Sequence, residues 1–440
     1  MTEGDRFSAL PVCVLIGLFL VCATLWSLIV PPFETPDETG HARYVNFLAA
    51  ERRLPVAGAE ARGEAHQPPL YYIIVAAAGE LLRLTPIPLE PARNASFLWY
   101  GGTDENKYQH GADELPPLSG SLRGLHGLRL ISILLGAITV LLIHRLASSM
   151  LTPAEALLAA ALAAFLPQFT FIAASLNNDN LANALCAAAI LLLVLAVESP
   201  RMILWVGAGA LTGVAMTAKF TSLVLVPCAL LSIFMASRAS RLGRGASFSA
   251  RRAGIQFLAP AIAIASPLLI RNAVTMGDPL GMAAQIVTLP QLLDRKGPLS
   301  AYFLLEFPVV LFESFWGRFG WMSLRLPDAI YLALVLPAAA AVIGLLLGAR
   351  ELSRRHLLLA AFVVLQLGQI VAFNLTFTQA QGRFLFPALG PIVVLMCAGW
   401  MALGRHYRMP APGAGAALIA VSLMALGNLA VLFRFVAPVY

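Results

Sequence analysis

The chain has 440 residues, 59% of them hydrophobic and only 12% charged, with a formal net charge of +7 and a mean hydropathy of +0.79. Soluble domains carry about twice that share of charge, so the composition excludes an ordinary globular enzyme and points to a polytopic membrane protein. The five cysteines, Cys13, Cys22, Cys186, Cys228 and Cys397, all lie inside apolar runs, which argues against a disulfide or metal framework.

The first predicted element is an anchor helix over residues 8–30, too long for a signal-peptide core and followed by no small-residue cleavage site. Immediately beyond it comes Pro31-Pro32-Phe33-Glu34-Thr35-Pro36-Asp37-Glu38-Thr39-Gly40-His41-Ala42-Arg43-Tyr44, a polar corner in a chain with few charges. Thr35-Pro36-Asp37-Glu38 reads as a helix start, with Thr35 as N-cap, Pro36 at the first helical position and Glu38 closing a capping box. Asp37 and His41, four apart, then share a face, with Tyr44 one turn on. A carboxylate at a helix N-terminus is favoured as the anion, which suits a general base that must start ionised; the alternative is a solvated first-turn acid. Gly40 costs about 1 kcal/mol against alanine in such a turn, which signals either a close approach of a ligand or a loosely formed helix.

Further apolar runs near 125–147, 154–172, 181–198, 202–218, 220–236, 253–270, 330–348, 357–375, 384–403 and 413–433 bring the predicted spans to eleven. The stretch 202–236 would be roughly 50 Å as one helix, too long for a core of about 30 Å, and is expected to turn near Lys219. The run Pro68–Leu84 is placed by charge. If it does not span, the short loops on the N-terminal side hold 13 basic against five acidic residues, and 31–124 becomes one outer loop with eight basic and twelve acidic residues. That is the positive-inside pattern. Pro68–Leu84 is therefore read as interfacial or re-entrant, with Tyr71 and Tyr72 at headgroup level. The basic surplus is explained by loops facing anionic lipid and requires no nucleic-acid partner. The expected architecture is an all-α polytopic membrane protein of about 11 transmembrane helices forming one domain over 1–440. It has juxtamembrane helices in the outer loop 31–124, a second outer loop over 271–329, and no separate soluble domain.

Six motifs in this order carry a resemblance: Pro36-Asp37-Glu38; His66-Gln67-Pro68-Pro69-Leu70-Tyr71-Tyr72; Asn177-Asn178-Asp179; Arg271-Asn272 with Gly277-Asp278-Pro279-Leu280; Ser314-Phe315-Trp316-Gly317-Arg318-Phe319-Gly320; and Gln381-Gly382-Arg383-Phe384-Leu385-Phe386-Pro387. Together they resemble the GT-C superfamily of integral-membrane glycosyltransferases, in a bacterial branch related to the protein O-mannosyltransferases and the lipid A aminoarabinose transferases. The sequence stops soon after the eleventh run, so the large outer C-terminal domain of better-known relatives is not expected here.

The resemblance implies a polyprenyl-phosphate sugar as donor and a cell-envelope glycan, lipid or protein as acceptor, with inversion at the sugar. It places the first-loop acidic pair at the acceptor, Asp37 as general base and Glu38 in support. Cations at outer membrane ends, Arg129, Lys219, Arg271, Arg318 and Arg383, are the candidates for the leaving phosphate, since a guanidinium matches phosphate geometry with two parallel bonds; snorkelling to the interface is the alternative for each. Arg129 resembles an arginine at the start of the second span of protein O-mannosyltransferases. His41, His66, Tyr71, Asn178 and Asp179 are candidate substrate-positioning groups, with helix capping the alternative for the last two. No cofactor is required; a divalent cation beside Asp37 and Glu38 stays open. The aromatic and acidic stretch Phe97–Tyr108, with Trp99, Tyr100, Asp104 and Glu105, reads as an acceptor entrance or plain loop decoration. A transporter or flippase for a lipid-linked sugar, or a non-catalytic membrane protein, is the rival reading, against which stands the lack of paired halves with matching broken spans.

Overall fold

The computed structural model describes residues 3–57, 60, 63–84, 86–88, 91–98, 104–115, 117–241, 248–288 and 293–440. Trp99 and Tyr100 fall outside the described residues. Each of the eleven apolar runs is helical. They form α1 (Glu3–Ile29), α4 (Gly120–Ser148), α5 (Pro153–Ala164) with α6 (Pro167–Ala173), α7 (Asp179–Glu198), α8 (Met202–Ala218), α9 (Leu225–Arg241), α10 (Ala250–Met276), α13 (Asp328–Leu347), α14 (Arg354–Asn374), α15 (Leu389–His406) and α16 (Ala414–Val431). Among the described residues nine helices are long and apolar enough to cross a membrane, so this is an integral multi-pass membrane protein. The two remaining runs depart from simple spans. Pro167 forces a break, and α5 and α6 meet at 63°; α8 has 17 residues. The long run 202–236 breaks at the expected residue: Lys219 is extended (φ −160°, ψ 129°) between α8 and a short turn, Phe220–Val224, that leads into α9.

Ion pairs mark the two ends of the bundle. At one end Arg355 lies 3.7 Å from Glu198 and donates to the Ser149 carbonyl at 2.6 Å, while Arg405 pairs with Glu351 at 2.7 Å. The other end carries the long connections and is called the loop face below. There α2 (Glu38–Glu51) and α3 (Leu70–Leu81) lie in the first connection, α11 (Met282–Thr288) and α12 (Phe307–Trp316) in the second. At 12 residues α3 reaches roughly 18 Å, too short to span. Its Tyr71 and Tyr72, expected at headgroup level, are fully buried within the protein, because the apolar face of α3 packs onto α2 and α4. A two-stranded ribbon, β1 (Arg318–Phe319) and β2 (Leu324–Arg325), closes the second connection.

With no hydrophobic force between helices in lipid, close backbone approach drives packing. A Cβ on Gly344 of α13 would lie 1.8 Å from the Gly399 carbonyl oxygen of α15, and one on Gly399 would lie 2.1 Å from that of Ala341. Glycine at both positions lets the two helices touch backbone to backbone.

Candidate functional site

The corner after α1 is not capped as its sequence reads. The helix α2 begins at Glu38, and Asp37 before it adopts a left-handed conformation (φ 69°) without a side-chain cap. Phe33 is left-handed as well (φ 70°). Non-glycine residues rarely take this conformation, and here the surroundings hold them in it. Trp321 donates its indole N–H to the Phe33 carbonyl at 2.9 Å. Glu34, fully buried, accepts the Tyr108 and Lys107 amides at 2.9 and 3.2 Å and pairs with His110 at 2.9 Å.

Glu38, expected beside the reacting atoms, is taken up entirely by the scaffold. Arg129 donates to Oε1 at 2.8 Å and to Oε2 at 2.6 Å. The amides of Leu176 and Phe33 donate to the same two oxygens at 2.9 Å each. Arg129, expected at the donor phosphate, is fully buried; its remaining N–H groups go to the carbonyls of Ser27, Val30 and Pro31 at 2.8, 3.0 and 3.2 Å. A bidentate pair that also satisfies five backbone groups ties α1, α2, α4 and the 174–178 loop together. What capping was expected to do for the start of α2, this pair does.

That clamp directs Asp37 the other way, into a cavity of about 370 Å³ at the loop face. Arg383, on the turn Gly382–Ala388 ahead of α15, donates from Nη2 to Asp37 and sits 3.7 Å from Asp179 through Nη1. Lys219 donates to Asp179. Asp37, Arg383, Lys219, His41, His66 and Asn178 all line the cavity; Asp179 is not in the wall but pairs with both cations. The turn reaches this place because residue 382 is glycine: a Cβ there would lie 2.1 Å from the Phe315 nitrogen. Burial works to raise the Asp37 pKa, but Arg383, by its charge and its hydrogen bond, and then Lys219 outweigh it and hold the carboxyl below the usual range. Burial lowers His41 to about 3 and His66 to about 4, so both rings are neutral near pH 7.

Three other expected site residues lie elsewhere. Arg271 donates to the Pro55 carbonyl at 2.8 Å and bonds Asn272 beside it. Arg318 donates to the Met322 carbonyl at 2.7 Å and lies 3.5 Å from Glu313, within the ribbon. Tyr71 bonds Ser132 at 2.8 Å and accepts the Asn177 amide at 3.0 Å, placing the 174–178 loop from behind. Asp104 caps its own turn by accepting the Asn106 amide at 2.9 Å.

Sequence reasoning missed Glu64, Gln366 and Gln369 in the cavity wall and gave no role to Gln67 and Asn177, which its motifs contain and which also line the cavity. Glu64 comes within reach because of Gly40. A Cβ on Gly40 would lie 2.8 Å from the Glu64 Cγ, so the close approach that glycine permits is by the chain itself. Burial first, and then the Asp37 charge, push Glu64 up to about 8, leaving it protonated at pH 7. Its one sequence signal was its place two residues before His66 in a motif already singled out. Among the described residues no three His, Cys, Asp or Glu side chains converge as metal ligands do.

A polytopic bundle with a charged cavity under its long loops is the class of protein that fold and site define. Residues 119–270 match the family model for dolichyl-phosphate-mannose-protein mannosyltransferase. Over 99% of its length the chain superposes on 74% of ArnT from Cupriavidus metallidurans bound to undecaprenyl phosphate, at 15% identity and a TM-score of 0.55. The apo state of that protein gives 100%, 74%, 15% and 0.56. The chain also aligns over 97% of its length with 56% of the oligosaccharyltransferase AglB from Archaeoglobus fulgidus, in complex with an inhibitory peptide and a dolichol-phosphate, at 13% identity and a TM-score of 0.49. No curated protein matches the sequence significantly. The chain has the fold of the GT-C glycosyltransferases.

Proposed function

We propose that the protein is a glycosyltransferase that moves a sugar from a polyprenyl-phosphate donor to a hydroxyl or amine acceptor, with inversion, at the outer face of the cell's inner membrane. The observation that carries this reading is the meeting of Asp37, Arg383 and Lys219, from three distant segments, in one cavity. The ArnT structure with undecaprenyl phosphate and the dolichyl-phosphate-mannose family description support a polyprenyl-phosphate donor, by analogy of fold.

The acceptor heteroatom attacks the anomeric carbon while the bond from that carbon to the phosphate oxygen breaks. The electron pair leaves with the phosphate, and Asp37 takes the acceptor proton. A base that is already ionised and in place is worth about 10²–10⁴ in rate. Arg383 and Lys219 stabilise the negative charge that grows on the leaving phosphate. Their charge is matched by Asp37 and Asp179, so an incoming phosphate exchanges places with the Asp37 carboxylate on Arg383 and leaves that carboxylate unpaired as the acceptor arrives. Glu38 and Arg129 act as positioning residues that set the corner from which Asp37 projects. The surplus of arginine on the short loops supports a cytoplasmic N-terminus and an outward loop face.

The test is transfer of radiolabelled sugar from a panel of polyprenyl-phosphate sugars to membrane acceptors, wild type against Asp37→Asn at matched expression. Transfer by the wild type that falls at least a hundredfold in the variant, with donor still bound, supports the assignment. Undiminished transfer by Asp37→Asn removes Asp37 as the base.

A further inference from the structure

One wall of the cavity plays no part in the chemistry above. The helix α14 places Gln366 and Gln369 one turn apart on a single face, roughly 12 and 8 Å from its loop-face end. Amide side chains at that depth in a membrane span are costly unless they are bonded. Gln366 is 1% exposed. Its NH₂ donates to the Phe384 carbonyl at 2.8 Å, which fixes the amide's orientation and leaves its carbonyl Oε1 without a partner. The Gln369 Oε1 is likewise buried and unpaired. Across the cavity Asn177, also 1% exposed, spends its Oδ1 on the Asp179 amide at 2.9 Å and keeps an unpaired Nδ2 donor. These three amides therefore leave open two acceptors and one donor, all uncharged and all in the wall of the same cavity, and the unpaired Nδ1 of His66 in that wall adds a neutral position.

The charged groups of that wall are committed to one another, to the phosphate or to the acceptor proton. Arg383 and Lys219 are matched by Asp37 and Asp179, and Glu64, His41 and His66 are neutral near pH 7. Phe373 and Phe384, edge to face at 5.9 Å, supply an apolar surface beside the amides. A ligand that fits offers hydroxyl donors, at least one acceptor, a C–H face and no net charge.

Resting on the transferase reading, we infer that Gln366, Gln369 and Asn177 form the subsite for the donor's sugar and that this sugar is an uncharged, hydroxyl-rich ring rather than an amino sugar or a uronic acid. The donor is favoured over an acceptor sugar because Gln366 bonds Phe384, the residue next to Arg383. The amides thus begin where a phosphate held by Arg383 ends, and the donor sugar is the group joined to that phosphate. A buried acceptor left unpaired disfavours a ring that lacks the matching hydroxyl.

The test measures binding to the purified full-length protein of four probes: bare undecaprenyl phosphate, and the same carrier joined to a neutral hexose, to an amino sugar and to a uronic acid. Gln369→Leu is compared with wild type, and Gln366→Met serves as a second variant; binding of the bare carrier reports that each is folded. The expected result is that wild type prefers the neutral hexose and that Gln369→Leu loses about tenfold in affinity for it, the equivalent of roughly 1.4 kcal/mol, while the bare carrier binds unchanged. Equal losses for carrier and hexose donor place these amides at the lipid or phosphate and overturn the inference, as does unchanged hexose binding or a preference for either charged sugar. Weakening of an added free acceptor sugar, with the donor untouched, assigns the wall to the acceptor and overturns it too. Failure of wild type to bind any of the four probes removes the transferase reading itself, a result separate from all the others.

Discussion

Two adjacent acids, Asp37 and Glu38, divide the work of the corner, and the division is visible atom by atom. Glu38 has both oxygens committed to Arg129 and to two backbone amides, whereas Asp37 faces the cavity with its side chain 36% exposed. Removing one partner of a buried pair strands the other at a cost of about 3–5 kcal/mol. Glu38→Ala is therefore expected to lower the thermal midpoint of the detergent-purified protein sharply, with Asp37→Asn near wild type. A double change, Glu38→Leu with Arg129→Met, does not rescue it, because the Leu176 and Phe33 amides and three carbonyls stay unpaired; a double variant as stable as wild type would refute that account. Glu64 gives a second prediction. Its pKa is raised to about 8, so it is neutral below that pH and becomes a second carboxylate beside Asp37 above it. Donor affinity is expected to fall as pH rises through about 8, and Glu64→Gln to flatten that limb in a binding titration. The sequence made Asp37 legible through residue type and place after a span. It set Asp37 as base and Glu38 in support, but it could not show what holds Glu38, because the partner, Arg129, is 91 residues away.

The elements that carry these residues are short and held from outside. The segment around 104–114 has little regular structure, and its hold on the corner runs through His110, which bonds Glu34 at 2.9 Å and Glu114 at 2.7 Å. Burial lowers the ring's pKa, but the two carboxylates outweigh it and lift it to about 9. With the folded value above the unfolded one of about 6.5, the contribution to stability is complete below pH 6.5 and is lost as pH rises through about 9. Hydrogen exchange at the Lys107 and Tyr108 amides, both bonded to Glu34, is expected to quicken above pH 9 beyond the intrinsic base-catalysed rise. His110→Ala is expected to show the same protection loss already at pH 7; protection that ignores both changes would refute the latch. The turn Gly382–Ala388 is placed by packing instead. Gly382→Ala forces its backbone off Phe315 and moves Arg383 without deleting it, so donor binding is expected to weaken in Gly382→Ala and in Arg383→Ala alike. Neither device was legible in sequence: nothing around His110 marks it as the partner of Glu34, 76 residues away, and glycine packing leaves no periodic signal.

For the whole molecule, hydropathy and loop charge were enough to find all eleven helical runs, because lipid requires each span to satisfy its own backbone. What they could not encode is the meeting of Asp37 with Arg383 or of Lys219 with Asp179, which depends on how the bundle closes. Arginine counting also makes a claim about orientation. Asp328, 79% exposed in its side chain, begins α13 at the loop face, and Glu351, 65% exposed, lies at the opposite end beside Arg405. With Cys13, the exposed native cysteine, replaced by serine, Asp328→Cys is expected to react with a membrane-impermeant maleimide in cells whose inner membrane is intact. Glu351→Cys is expected to react only after that membrane is opened. Positive-inside bias acts through short loops and the span ends beside them, and Arg238 and Arg241 close α9 while Arg251 and Arg252 open α10, on either side of one such loop. The reverse labelling pattern would put Asp37 and the cavity on the cytoplasmic side, where the acceptor would have to be a cytoplasmic molecule and the proposed cell-envelope reaction would fail even with the chemistry of the site unchanged.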